Sequence, residues 1–115
     1  MRQSSIHIDV LLDEDKVPSE ISWNATDTSA NTVKKAEAMM LAFWDGVDKT
    51  SLRIDLWTKH MMVDEMADFF YQTLITMADT YQRATRQTDL VDDMKKFAQE
   101  FYKKFRQEEL KHNKA

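Results

Sequence analysis

The chain has 115 residues, 43% hydrophobic and 31% charged, with a net charge of −4, which is the size and make-up of one folded domain. That charge gives nucleic acid no electrostatic handle, and no run approaches the roughly 20 apolar residues of a membrane span. There is no cysteine, which excludes a disulfide scaffold, a thiol nucleophile and a thiolate metal site, and fits a reducing compartment.

The first residues, MRQSSIHIDVLLDEDK, have no long apolar run and meet acids by Asp9, so no signal peptide is expected and the cytoplasm is the expected location. With one glycine and one proline, turns must be made by Asp, Asn, Ser and Thr. Eight methionines and twelve aromatic residues point to an adaptable core or an adhesive surface.

Ile6, Ile8, Val10 and Leu12 alternate with His7, Asp9 and Leu11, and read as a first strand. A charged loop, Asp13-Glu14-Asp15-Lys16, precedes Pro18. Ile21 and Trp23 flank Ser22 in a second strand that closes an antiparallel hairpin with the first. Residues 24–32, rich in Asn, Thr, Ser and Asp, read as loop. Residues 33–44, VKKAEAMMLAFW, fit two patterns. Their Ala, Met, Leu and Lys favour a helix. The following Asp45-Gly46 turn signal and the clear strand after it favour a strand, and with it a meander of two hairpins.

Residues 52–66, LRIDLWTKHMMVDEM, switch period. Leu52, Ile54 and Leu56 alternate with Arg53, Asp55 and Trp57, and the alternation stops at Thr58. From Val63 the spacing is helical, with acids at the helix start and a stripe of Met66, Phe69, Phe70, Leu74, Met77 and Tyr81. Thr88 or Asp89 caps a second helix, whose stripe is Leu90, Met94, Phe97, Phe101 and Phe105. The expected fold class is α+β, in a single domain over 1–115. An antiparallel sheet of about four strands over 4–58 is packed by helices over 62–85 and 88–108, and the tail 109–115 frays. Ile6, Ile8, Val10, Leu52, Ile54 and Leu56 are the expected core face. Strands first and helices last is also similar to the subunit topology of the export chaperone SecB, an analogy of fold alone.

No catalytic, cofactor-binding or metal-binding constellation emerges. His60, Asp64 and Glu65 read as helix-end solvation rather than a metal site. The acids at 13–15 lack the further ligands, central glycine and late glutamate of a calcium loop. Asn24-Ala25-Thr26 matches a glycosylation sequon, without a secretory context. Lys95, Lys96, Lys103, Lys104 and Arg106 are interleaved with apolar and acidic residues, as in a solvated helix face. The aromatic residues are the leftover. If Leu52, Ile54 and Leu56 face inward, Trp57 faces out, sharing a second face with Trp44, Met40, Ala42 and Leu11. Phe69-Phe70-Tyr71 cannot all enter one core. Such rings either anchor an interface or lie at the core margin. The interface is the expectation, with Trp57, Trp44, Phe70 and Tyr71 as anchors and a homo-oligomer or a protein partner as the occupant.

Residues 52–85, LRIDLWTKHMMVDEMADFFYQTLITMADTYQRAT, resemble the gliding motility-associated GldC family of Bacteroidota. VPSEISW at 17–23 and MLAFWD at 40–45 agree in layout. The resemblance implies a small cytoplasmic accessory of gliding motility, peripheral to the inner membrane and linked to its secretion machinery. It implies no enzymatic activity, cofactor or binding residue, so the expected action is through protein contacts. The alternative is a chaperone-like binder of unfolded or exported clients.

Overall fold

A computed structural model describes residues 1–27 and 31–113, with side chains described through residue 111. The middle of the expected 24–32 loop and the end of the expected frayed tail lie outside these residues. The chain divides into two compact units, Met1–Met61 and Met62–Ala115.

The first unit is all strand. β1 (Ile6–Leu12) pairs antiparallel with β2 (Pro18–Ala25), and β2 pairs antiparallel with the short β3 (Lys34–Ala36). β4 (Ala38–Asp45) and β5 (Thr50–Trp57) form a separate antiparallel pair. Residues 33–44 are therefore strand apart from Val33 and Glu37, and both expected hairpins are present. Five strands in two sheets replace the expected four in one, because Glu37 interrupts the run between β3 and β4. The expected loop also starts later, since Asn24 and Ala25 belong to β2.

Alternation sorts the side chains of the three-stranded sheet as the sequence reading expects. Ile6, Ile8 and Val10 stand opposite Ala25, Trp23 and Ile21 on one face, and His7 and Asp9 stand opposite Asn24 and Ser22 on the other. Lys35 and Glu20 form an ion pair on that polar face. Ile21 and Ala25 are the buried apolar residues of this unit. Asp13 builds the first turn. Its Oδ1 accepts the amides of Asp15 and Val17 at 2.9 and 3.0 Å, and Lys16 takes the left-handed conformation at φ 63°. In the second hairpin Asp45 Oδ1 accepts the amides of Val47 and Asp48. The left-handed position there is Lys49, at φ 57°, and not Gly46.

Thr58 ties the two sheets together. Its amide donates to the Glu37 carbonyl at 2.8 Å, and its hydroxyl donates to the Glu37 carboxylate at 2.5 Å. The next amide, Lys59, donates to the Pro18 carbonyl at 3.0 Å, and the Lys59 ammonium lies 3.4 Å from Asp13. The place where the period of two ends is thus a buried polar node.

The second unit is a helical hairpin of α1 (Val63–Thr85) and α2 (Thr88–Asn113). Met62 precedes α1 and offers no side-chain oxygen to cap it, but Glu65 reaches back to accept the Met62 amide at 3.2 Å. Arg86 ends α1 in the left-handed conformation. The Gln87 carbonyl accepts the amides of Leu90 and Val91, so the chain turns into α2 within two residues. α2 runs beyond the expected end at 108, its last turns supported by Arg106–Glu109 and Lys111–Glu108 pairs at i,i+3. The seam between the helices lies beside the apolar stripes. Its buried residues are Ala67 and Ala78 on α1, and Val91 and Ala98 on α2. Met66, Phe69, Leu74, Tyr81, Met94, Phe101 and Phe105 are half-buried beside these small residues, and Phe70, Met77, Leu90 and Phe97 are exposed.

Candidate interaction surface

Register places the β4–β5 side chains on two faces. Met39, Leu41 and Phe43 oppose Leu56, Ile54 and Leu52, so one face is apolar along almost its whole length. Leu52 and Ile54, expected in the core, are 56% and 52% exposed, and Phe43 is 59% exposed. Among the described residues of the strand unit, no element covers this face. A two-stranded ribbon is too thin to bury its own side chains.

The other face carries Trp57 opposite Ala38, Met40 opposite Asp55, Ala42 opposite Arg53, and Trp44 opposite Ser51. Trp57, Trp44, Met40 and Ala42 share a face, as expected, whereas Leu11 belongs to β1 in the other sheet. Trp44 and Trp57 sit at opposite ends, about 20 Å apart along the strand, and both are exposed. Between them Arg53 grips Asp55 through two hydrogen bonds, Nε to Oδ2 at 3.1 Å and Nη2 to Oδ1 at 2.9 Å. That pair raises the pKa of the guanidinium further.

The helical hairpin also has two unlike flanks. At 100° per residue, Phe70 and Met77 of α1 and Leu90 and Phe97 of α2 fall on one side of the seam. All four are exposed. Two shallow depressions of about 390 and 430 Å³ mark this flank and share Tyr81 and Met94. The opposite flank is polar. Lys95 pairs with Asp79 at 2.9 Å. Tyr102 donates to Asp68, and that hydrogen bond raises the phenol pKa. Tyr71 stacks on Tyr102 with ring centroids 4.7 Å apart, and the Arg106 guanidinium lies 5.7 Å from the Tyr102 centroid. Phe70 and Tyr71, adjacent in sequence, thus part company. Phe70 joins the open apolar flank, and Tyr71 is a half-buried ring inside the hairpin.

The titratable candidates are occupied locally. Asp64 accepts the amide of Glu65, and the His60 amide donates to the Thr58 hydroxyl. Hydrogen bonds from the Val17 amide, then from Asp15 and Lys59, hold the Asp13 carboxyl below its ordinary pKa. Among the described residues no three His, Asp or Glu side chains converge as metal ligands, and no helix is long and apolar enough to cross a membrane. The side chain of His112 lies outside the described residues. Sequence reasoning missed the Glu37–Thr58 contact and the Asp68–Tyr102–Arg106 cluster. The only signal for the first was the loss of period at Thr58. For the second it was the apolar spacing of two helices that had to meet.

The model of the family described as gliding motility-associated protein GldC-like matches residues 18–107. The chain belongs to this GldC-like family. No curated protein and no solved structure matches it. The GldC-like match runs from the start of β2 into α2, so it spans the β4–β5 hairpin, the Thr58 node and the Tyr71–Tyr102 stack, and leaves β1 outside.

Proposed function

We propose that the protein is a non-enzymatic accessory of bacterial gliding motility that works through protein contacts in the cytoplasm, next to the membrane-bound machinery. The observation that carries this reading is the apolar face of the β4–β5 hairpin, on which Phe43, Leu52 and Ile54 are exposed beside the half-buried Met39, Leu41 and Leu56, within a chain of the GldC-like family. An exposed apolar patch of this kind favours association over isolation. Trp57, Trp44 and Phe70 add the large rings that anchor interfaces. Tyr71 contributes by holding the helical hairpin that presents Phe70.

The test is affinity capture from a gliding bacterium followed by identification of the bound proteins, with Trp57→Ala and Leu52→Ser/Ile54→Ser as comparisons. Recovery of motility or secretion components by the parent, and their loss with the Leu52/Ile54 variant, is the expected outcome. Equal recovery by all three proteins removes this face from the account.

The second reading, a chaperone-like binder of unfolded or exported clients, is favoured by the two depressions lined by Met77, Met94, Leu90 and Phe97, since methionine surfaces adapt to varied apolar segments. Stoichiometric suppression of the aggregation of an unfolded test protein supports it, and no suppression excludes it.

A further inference from the structure

The free edge of β5 specifies a partner. β5 is paired on one side by β4, and no strand lies beyond it among the described residues. The backbone groups of an antiparallel strand point alternately toward and away from the neighbouring strand. The Thr58 amide donates inward, to Glu37. Counting back, Leu56, Ile54 and Leu52 also turn inward to β4, and Trp57, Asp55, Arg53 and Ser51 turn their N–H and C=O groups outward.

Other edges are blunted. β1 has an irregular register between Leu11 and Leu12, and β3 is three residues long with two lysines. β5 is eight residues long in unbroken register and carries neither proline nor lysine. Its sequence is also self-complementary about Ile54, with Leu52 and Leu56 placed symmetrically and Arg53 and Asp55 exchanged.

We propose that β5 pairs antiparallel with β5 of a second copy across a two-fold axis at Ile54. This rests on the contact reading above and names the first partner. Arg53 then lies opposite Asp55 of the second copy, and Asp55 opposite its Arg53. Leu52 faces Leu56 of the second copy on the apolar side, so the two apolar faces become one. The outward backbone groups dictate register steps of two residues. The neighbouring registers set Arg53 against Arg53, or Asp55 against Asp55, and like charges directly opposite are unfavourable. Charge therefore selects one register. The free edge of β4 has no such selection, since its outward registers set Met40 against Ala42 or against Trp44, with no charge to choose between them. The pairing also sets Trp57 of the second copy beside Ser51, which lies beside Trp44. Two tryptophans at opposite ends of one chain become neighbours about 10 Å apart across the joined sheet.

Sedimentation equilibrium on the full chain tests this. The wild type is expected to be a dimer, and Arg53→Asp and Asp55→Arg are each expected to weaken it roughly tenfold. An equimolar mixture of these two variants is expected to recover wild-type affinity as a heterodimer. The double exchange Arg53→Asp/Asp55→Arg keeps the ion pair within the strand, which guards against misfolding. It is expected to dimerise with itself but not with a mass-tagged wild type, as read by native mass spectrometry. A monomeric wild type, variants that associate like the wild type, or free mixing of the double exchange with the wild type each overturns the proposal. A monomer that still captures machinery proteins overturns this pairing alone. A dimer that captures none overturns the accessory reading alone.

Discussion

Thr58 is 1% exposed in a unit that leaves many larger apolar side chains outside. Its hydroxyl donates to Glu37 and accepts from the His60 amide at 3.3 Å, so one side chain fixes the exit from β5 and the link between β3 and β4. Thr58→Val keeps the shape and removes both bonds. It is expected to cost about 1–2 kcal/mol in urea unfolding, while Thr58→Ser, which keeps the hydroxyl, costs less. A larger loss for Thr58→Ser than for Thr58→Val would show that the methyl, and not the hydrogen bonds, matters. Asp13 acts at the same scale with a pH signature. Its folded pKa is depressed, so its contribution is present above the ordinary carboxyl range and is lost as pH falls below about 4. Asp13→Asn retains an oxygen for the Asp15 and Val17 amides but does not titrate. The difference in melting temperature between wild type and this variant is therefore expected to shrink as pH drops, and a constant gap would refute the assignment.

Among the elements, the turn of the β4–β5 hairpin shows what the residues disclose and what they hide. Asp45-Gly46 located the turn correctly, because Asp side chains cap their own backbone two residues on. A Cβ added at Gly46 meets nothing within 4 Å, and Lys49 takes the positive φ. Gly46→Ala/Lys49→Gly is accordingly expected to raise stability by about 1 kcal/mol, through relief at 49 and lower unfolded-state entropy at 46. A lower unfolding midpoint for the pair would count against this account of the turn. Both hairpins and both helices were legible from period, since alternation and helical spacing are local properties. The break at Glu37 was not, because its cause is a contact with Thr58, distant in sequence. The seam between the two helices was not legible for a related reason. Apolar spacing marks a wide stripe, and the contact between two helices settled on the small residues Ala67, Ala78 and Ala98 at its side.

Across the whole molecule, size and burial run in opposite directions. The residues buried in each unit are mostly small, with Ile21 the largest apolar side chain fully buried, while Phe43, Trp44, Trp57 and Phe97 stay outside. The exposed rings have one cause in each unit: large apolar residues outnumber the places that a set of strands or a pair of helices can cover by itself. Stability should then follow burial and not side-chain size. Ile21→Ala opens a cavity at a site 1% exposed and is expected to cost about 2–4 kcal/mol. Phe97 is 61% exposed, and Phe97→Ala, although it removes more carbon, is expected to cost under about 1 kcal/mol. Urea unfolding followed by circular dichroism at fixed protein concentration checks the order. Each midpoint should be compared at a concentration where the wild type keeps one association state, because any interface adds its own stabilisation by mass action. If Phe97→Ala proves the more damaging, the α2 flank is covered in solution by something that holds the ring as tightly as a core does, and the apolar flank of the helical hairpin would then be a structural face.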